Sequence, residues 1–319
     1  MKKVNLLIYS IIAGFFLLFN SCSQQPSDEV NKYLFSYFKG NGESGLHLAW
    51  SEDGLIWHEL NNGQPILEPT AGEDKLMRDP CIIQGPDGRY HMVWTVSWNE
   101  RGIGYAWSED LINWSEQQYI PVMEHEPNAR NTWAPEVTYD EKNDEFMIYW
   151  ATTITGLYPE TFSELEDGLN HRMYYVTTKD FKEFSETKLL YEPGFSVIDS
   201  HIVPHNGEFI MFFKDETIEP PAKSLHIATS KNLTGPYSQP LVQITGDYWA
   251  EGPTSLYIDG TWIVYFDKYI EWTIGAVKST DLVNWEEISH KISFPSEVRH
   301  GTALKIEKDV LNNLKQQLN

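Results

Sequence analysis

One phrase recurs five times along the chain, and it constrains the fold more than any other feature. It runs small residue, spacer, Ser or Thr, spacer, Asp or Asn, with an aromatic residue about a turn later. It reads Ala49-Trp50-Ser51-Glu52-Asp53 with Trp57 and Ala106-Trp107-Ser108-Glu109-Asp110 with Trp114. The third copy is Val176-Thr177-Thr178-Lys179-Asp180 with Phe184. The fourth is Ala228-Thr229-Ser230-Lys231-Asn232, with Tyr237 one place late, and the fifth is Val277-Lys278-Ser279-Thr280-Asp281 with Trp285. The aromatic anchors are 57, 70, 53 and 48 residues apart. Ser/Thr and Asp cap tight turns by accepting from backbone N–H groups, so each phrase marks the end of one strand and the start of the next. A β-rich repeat of ~40–50 residues is the signature of propeller blades.

The flanking segments supply the remaining strands. An aromatic-rich strand precedes each phrase: Tyr33–Phe38, Tyr90–Trp94, Phe146–Trp150, Phe209–Phe213 and Trp262–Phe266. In the last four copies a further strand comes earlier, across a hairpin signal: Pro86-Asp87-Gly88, Lys142-Asn143-Asp144, His205-Asn206-Gly207 and Asp259-Gly260. Four blades therefore have four strands and the first has three. The segment Val298–Ile306 can fill the gap, closing the ring and leaving no open edge. These signals predict an all-β fold, a single five-bladed β-propeller over residues 33–306, followed by a short helix over 307–319.

Composition agrees with a folded, exported chain. Hydrophobic residues are 41% of the 319, enough for a real core. Aromatics reach 14%, with 12 Trp and 17 Tyr, which suits strands and sugar-facing surfaces. The formal charge of −22 sets the chain against duplexes and anionic membrane faces, so nucleic-acid binding is excluded.

The N-terminus reads as a targeting segment. Lys2 and Lys3 precede the apolar run 6–19, then Asn20-Ser21-Cys22. The run is short for a membrane span of ~20 residues and fits a signal peptide over 1–21. The Leu-Phe-Asn-Ser-Cys ending resembles a bacterial lipobox, with Cys22 as the lipidated residue and 22–32 as a polar tether. The expected location is outside the cytoplasm, held to a bacterial membrane only by this lipid. The one other cysteine, Cys81, lies in an apolar run and reads as a small buried hydrophobe.

The chemistry is expected where the inner strands begin, because copies of one blade start at one end of the axis. Those starts read Asp79-Pro80, Ala134-Pro135-Glu136, Asp199-Ser200 and Glu251-Gly252-Pro253. Each brings a carboxylate to the same mouth. Crowded carboxylates push their pKa values apart, which yields an ionised base beside a protonated acid. Trp94, Trp98, Trp133 and Trp249 are candidate stacking platforms for a sugar ring. Acid, base and platform together describe glycoside cleavage. His201, two residues after Asp199, shares its face and reads as a satisfied structural histidine. There is no close Cys/His cluster for zinc, no Gly-rich phosphate loop and no Ser-nucleophile motif.

With these residues the chain resembles glycoside hydrolase family 43 from about 33 to 306. The resemblance rests on Arg78-Asp79-Pro80, Ser108–Trp114, Trp133-Ala134-Pro135-Glu136, Ile198-Asp199, Glu251-Gly252-Pro253 and Arg299-His300-Gly301. It implies Asp79 as the general base activating water, Glu251 as the general acid and Asp199 as the residue that orients and tunes the acid. It also implies an inverting reaction, with roughly 6.5–9.5 Å between base and acid. Trp133, Glu136, Trp98, Trp249 and Arg299 would bind substrate. His300 would lie on the axis, where such proteins often hold a calcium ion or water; no cofactor is required for the chemistry. The family commonly has Asp where this chain has Glu136, whose longer side chain would narrow a subsite. Ser200 follows Asp199 where proline is usual.

The expected substrate is an oligosaccharide or polysaccharide of plant type, with α-L-arabinofuranosidase first and β-xylosidase second. Loops 155–170 and 217–223 set the pocket depth. A lipid-anchored, non-catalytic sugar-binding propeller is the alternative from another class. Related propeller enzymes, a fructosidase, a glycoside phosphorylase or a galactosidase, are a further one. The fructosidase Asn-Asp-Pro-Asn start is missing from 33–60, and no cluster of Arg or Lys is expected at the mouth for a phosphorylase.

Overall fold

The turn chemistry of the repeated phrase is visible in the computed structural model, which describes residues 32–318. Ser51 Oγ accepts from Gly54 N at 2.9 Å, and Asp53 Oδ1 accepts from Leu55 N and Ile56 N at 2.8 and 3.0 Å. The same bonds recur at Ser108/Asp110 and Ser279/Asp281. The anchoring indoles complete the turn, Trp57 Nε1 donating to Gly54 O and Trp114 Nε1 to Leu111 O. The signal-peptide, lipidation and tether readings for 1–31, Cys22 among them, lie outside the described residues.

Blade 1 contains β1 (Lys32–Tyr37), β2 (His47–Ser51) and β3 (Trp57–Glu59). Blade 2 contains β4 (Arg78–Gln84), β5 (Tyr90–Thr95), β6 (Ile103–Ser108) and β7 (Gln118–Ile120). Blade 3 contains β8 (Trp133–Asp140), β9 (Glu145–Thr153), β10 (His171–Thr178) and β11 (Lys188–Tyr191). Blade 4 contains β12 (Val197–His205), β13 (Glu208–Asp215) and β14 (Ser224–Ser230). Blade 5 contains β15 (Glu251–Ile258), β16 (Thr261–Lys268), β17 (Thr273–Ser279) and β18 (Glu286–Glu287). The last strand, β19 (Gly301–Ile306), is the inner strand of blade 1 and pairs antiparallel with β1, from Tyr37↔Gly301 to Lys32↔Ile306. Inner strands then adjoin all the way round, β19 beside β4, then β8, β12, β15 and back to β19. The five-bladed ring and its closure are as the repeat predicts.

Blade 4 departs from that expectation. Its fourth strand is reduced to an isolated bridge, His226↔Gln243. Pro236 and Pro240 fall within this stretch and offer no N–H to a ladder, which breaks the regular edge.

Alternating strand residues build one core between each pair of blades. Leu34, Leu48, Met92 and Trp94 join blades 1 and 2, and Val93, Tyr105, Val137 and Phe146 join 2 and 3. Tyr149 meets Met211, Phe212 meets Trp262, and Tyr265 meets Phe35 across the other three junctions. Trp94, expected at the mouth, is instead fully buried against Gly104, where any Cβ would lie 2.0 Å from the indole. The helix α1 (Lys308–Leu318) inserts Leu311 and Leu314 into the first junction. Each such burial contributes on the order of 2 kcal/mol. Among the described residues, no helix is long and apolar enough to cross a membrane.

Candidate active site

Four inner strands begin with the same irregularity. The ladder slips between Arg78 and Cys81, Trp133 and Glu136, Ile198 and His201, and Glu251 and Thr254. The second residue of each slip has positive φ: Asp79 52°, Ala134 46°, Asp199 52° and Gly252 60°. Left-handed backbone costs a side-chain-bearing L-residue roughly 1–2 kcal/mol, and Asp is among the residues that accept it best. Such bulges re-aim side chains, here toward one end of the axis. Asp79 and Asp199 thus share one repeat position, while Glu251 stands one residue earlier, equivalent to Arg78 and Trp133.

Glu136 does not join them, which corrects the expectation of four carboxylates at one mouth. It lies two residues beyond the bulge apex, equivalent to Cys81 and His201, and points into the protein. It is 4% exposed, its Oε2 held by His201 Nδ1 at 2.7 Å and by the Tyr149 hydroxyl at 3.1 Å. His201 Nε2 faces Ser255 Oγ at 3.1 Å and accepts from Ser255 N, so the histidine is structural, as read. A cavity of about 680 Å³ lined by Glu136, His201 and Ser255 opens at the other end of the axis, among Gln84, Asp140, Pro204 and Lys305. Cys81 is buried and free, with its thiol pushed up by burial.

Asp79, Asp199 and Glu251 do come together, tied by residues of their own and of neighbouring blades. Asp79 Oδ2 accepts from Thr95 Oγ1 at 2.8 Å, and Oδ1 lies 3.3 Å from His300 Nδ1. Burial pushes Asp79 up, but the His300 hydrogen bond and charge, with Arg78 and Thr95, outweigh it and hold it below the usual carboxylate range. Burial likewise opposes the charge on His300, yet Asp79, Asp199 and Glu136 raise it to about 9. Asp199 Oδ2 accepts from Gly252 N at 3.0 Å. Burial, reinforced by Glu251 and opposed by His300, pushes Asp199 up to about 7. The positive charge of His300 thus favours ionisation of both Asp79 and Asp199, and burial leaves Asp199 the more readily protonated of the two.

Glu251 is 21% exposed and anchored on one oxygen, Oε2 accepting from Lys214 Nζ at 3.0 Å. Its Oε1 lies 3.8 Å from Arg299 Nη2. Arg299 is itself held by Asp267, Nε to Oδ2 at 2.6 Å. Asp267 is fully buried and pushed up to about 6 by burial and by Glu251, against the Arg299 charge. Gly252 is required here, because a Cβ would lie 2.3 Å from the His300 ring.

Aromatic rings flank the carboxylates. Trp98 is 41% exposed and meets Trp133 edge-on, centroids 5.2 Å apart. Arg78 lies over the Trp98 face at 4.1 Å and both donate to Asn41 Oδ1. Trp249 is 36% exposed and packs near Tyr269. These rings stand where a sugar could stack.

His300 turns Nδ1 toward Asp79 Oδ1 at 3.3 Å. Among the described residues, no group of three or more His, Cys, Asp or Glu side chains is arranged to hold a metal ion.

Thr95, Lys214 and Asp267 were missed in the sequence, and so was a basic presence at the mouth. Of these three side chains, each stands near the end of its blade's second strand, just after an apolar run, and pairs across the ladder with a mouth residue: Arg78↔Thr95, Ile198↔Lys214, Glu251↔Asp267. An antiparallel return brings the strand end back to the mouth, so the polar residue closing each apolar run was the available signal. Lys214, Lys223 and Arg299 do cluster on this side, correcting the expectation of none, but each is paired with carboxylates.

A closed five-bladed ring carrying a carboxylate trio flanked by exposed indoles defines a sugar-processing propeller. A family model described as a probable glycosyl hydrolase domain, related to glycoside hydrolase family 43, matches residues 28–311, and the chain belongs to that family. It is 25% identical over 227 residues to an α-L-arabinofuranosidase of Bifidobacterium longum subsp. longum, covering 62% of this chain and 21% of that protein. The chain thus spans about a fifth of that relative's length. In fold it is similar to the α-L-arabinofuranosidase of Lactobacillus brevis (TM-score 0.52, 20% identity, 67% of this chain and 72% of that one). It is also similar to an exo-β-1,3-galactanase of Phanerochaete chrysosporium crystallised with β-1,3-galactotriose (TM-score 0.53, 13% identity, 69% and 51%).

Proposed function

We propose that the protein is an inverting glycosidase that releases α-L-arabinofuranosyl residues, or failing that β-xylosyl residues, from plant-type oligo- or polysaccharides. The observation that carries this reading is the Asp79–His300 pair beside Asp199 and Glu251. Asp79, kept ionised by the imidazolium, activates a water as general base. Glu251 protonates the leaving oxygen, with Oε1 free of any close hydrogen bond in the described residues. Asp199, its carboxyl pushed up to about 7 by burial, orients the acid segment through Gly252 N. Trp98, Trp133 and Trp249 provide stacking surface, and Arg299 bonds substrate hydroxyls. The arabinofuranosyl choice is supported by the name of the Bifidobacterium relative.

The test is turnover of p-nitrophenyl α-L-arabinofuranoside and β-D-xyloside, with proton NMR of the first-formed anomer. An inverted anomer, with turnover lost in Glu251→Gln, supports the roles. A retained anomer sinks the water-activating role of Asp79. No turnover, with sugars still bound, favours the binding protein.

In the same reading residues 1–21 direct export and Cys22 carries the lipid, supported by the basic start, the apolar run and the Cys. Replacing Cys22 with Ser would move the protein from the membrane fraction to the soluble one. An unchanged distribution would overturn the anchor.

A further inference from the structure

The loop after β9 reaches the candidate acid through charges alone. Glu166 Oε2, 40% exposed on that loop, pairs with Lys223 Nζ at 2.7 Å. Lys223, 1% exposed, pairs with Glu216 Oε1 at 2.6 Å. Glu216 Oε2 lies 2.7 Å from Lys214 Nζ, and Lys214 pairs with Glu251 Oε2 at 3.0 Å. The series Glu166, Lys223, Glu216, Lys214, Glu251 alternates in sign, and both lysines are shut off from solvent. Buried charges couple strongly because water screens them little.

We propose that Glu166 and Lys223 are positioning residues that set the protonation of Glu251 through Glu216 and Lys214, making the 155–170 loop a control on the acid. The inference rests on the reading of Glu251 as the acid. Each lysine divides its charge between two carboxylates. When Glu166 takes up part of Lys223, Glu216 is freer to neutralise Lys214, and Lys214 then stabilises the ionised Glu251 less. Removing Glu166 reverses this and favours the ionised acid. Removing Lys223 turns Glu216 wholly onto Lys214 and favours the protonated acid. The other groups facing Glu251 are Arg299 from the β19 approach, Asp267 and Tyr269 from the β16 side, Asp199 from β12 and His300 across Gly252. None belongs to the loop, so a change at Glu166 reaches Glu251 only along the series or through bulk charge.

The experiment is carboxyl ¹³C NMR of the full-length chain labelled at Glu Cδ, with the Glu251 resonance assigned by its loss in Glu251→Gln. Glu166→Gln, at an exposed residue, should lower the Glu251 titration midpoint by about half a pH unit. Lys223→Met should raise it, and in the Lys223→Met background the Glu166→Gln shift should vanish. If Lys223→Met does not fold, Lys223→Gln gives the same sign. Unmoved midpoints, or two shifts of the same sign, would overturn the proposal. Where turnover exists, the basic limb of the kcat/KM profile should move with the midpoint. Midpoint shifts without any turnover would keep the charge series and discard the glycosidase reading.

Discussion

His300 Nδ1 lies 3.3 Å from Asp79 Oδ1, joining the residue just before the ring-closing strand to the first residue of the carboxylate trio. The pair is buried, and each partner shifts the other in the direction that favours charge: His300 up to about 9 and Asp79 below its ordinary 3.8. This one contact ties ring closure to the ionisation of the proposed base.

That coupling predicts a pH window. His300 has its folded value raised, so its contribution is complete below about 6.5 and is lost as pH rises through about 9. Asp79 has its folded value lowered, so its contribution is complete above its unfolded value and is lost as pH falls through the folded one. In Asp79→Asn the His300 midpoint, read by imidazole NMR, should drop by at least about one pH unit. A midpoint still near 9 would show that Asp199 and Glu136 suffice to hold the charge.

Asp199 behaves in the opposite sense. Its folded value near 7 exceeds the unfolded 3.8, so ionising it costs stability progressively as pH rises between the two. Asp199→Asn keeps an oxygen for Gly252 N and removes that cost. Urea unfolding should show the variant more stable at pH 8 by on the order of 2 kcal/mol, with a smaller gain at pH 5. A gain independent of pH would contradict this account.

Gly252→Ala should be severe. The substitution meets both a φ of +60° and the His300 ring at 2.3 Å. The expected loss is about 2–4 kcal/mol in chemical denaturation. Because the shift would displace His300, the variant's imidazole midpoint should also fall, and a stable variant with an unmoved imidazole would show the approach to be loose.

Trp98 tests the stacking surface. It is partly exposed, and its indole also helps hold Asn41 beneath Arg78. Trp98→Ala should raise KM roughly 5- to 10-fold while changing kcat less than about 2-fold, as expected for uniform binding. Trp98→Phe should recover most of the affinity. A fall in kcat alone would place Trp98 in support of Asp79 through Arg78 instead.

The sequence by itself determined the ring. The phrase at Ser51, Ser108, Thr178, Ser230 and Ser279 acts through bonds within a few residues, so it can be read without knowing what lies across the molecule. The strand counts then required a segment within Val298–Ile306 to complete blade 1, and the inner-strand starts brought Asp79, Asp199 and Glu251 to one mouth. Tertiary structure alone decided how those carboxylates are used. Periodicity tells which way a side chain points only while the ladder is regular, and the bulges at Asp79, Ala134, Asp199 and Gly252 break it, sending Glu136 toward His201 instead of the mouth. Charge states depend on contacts of about 3 Å between groups far apart in the chain. Lys214 arrives at Glu251, Asp267 at Arg299 and His300 at Asp79 only once five blades have closed round one axis.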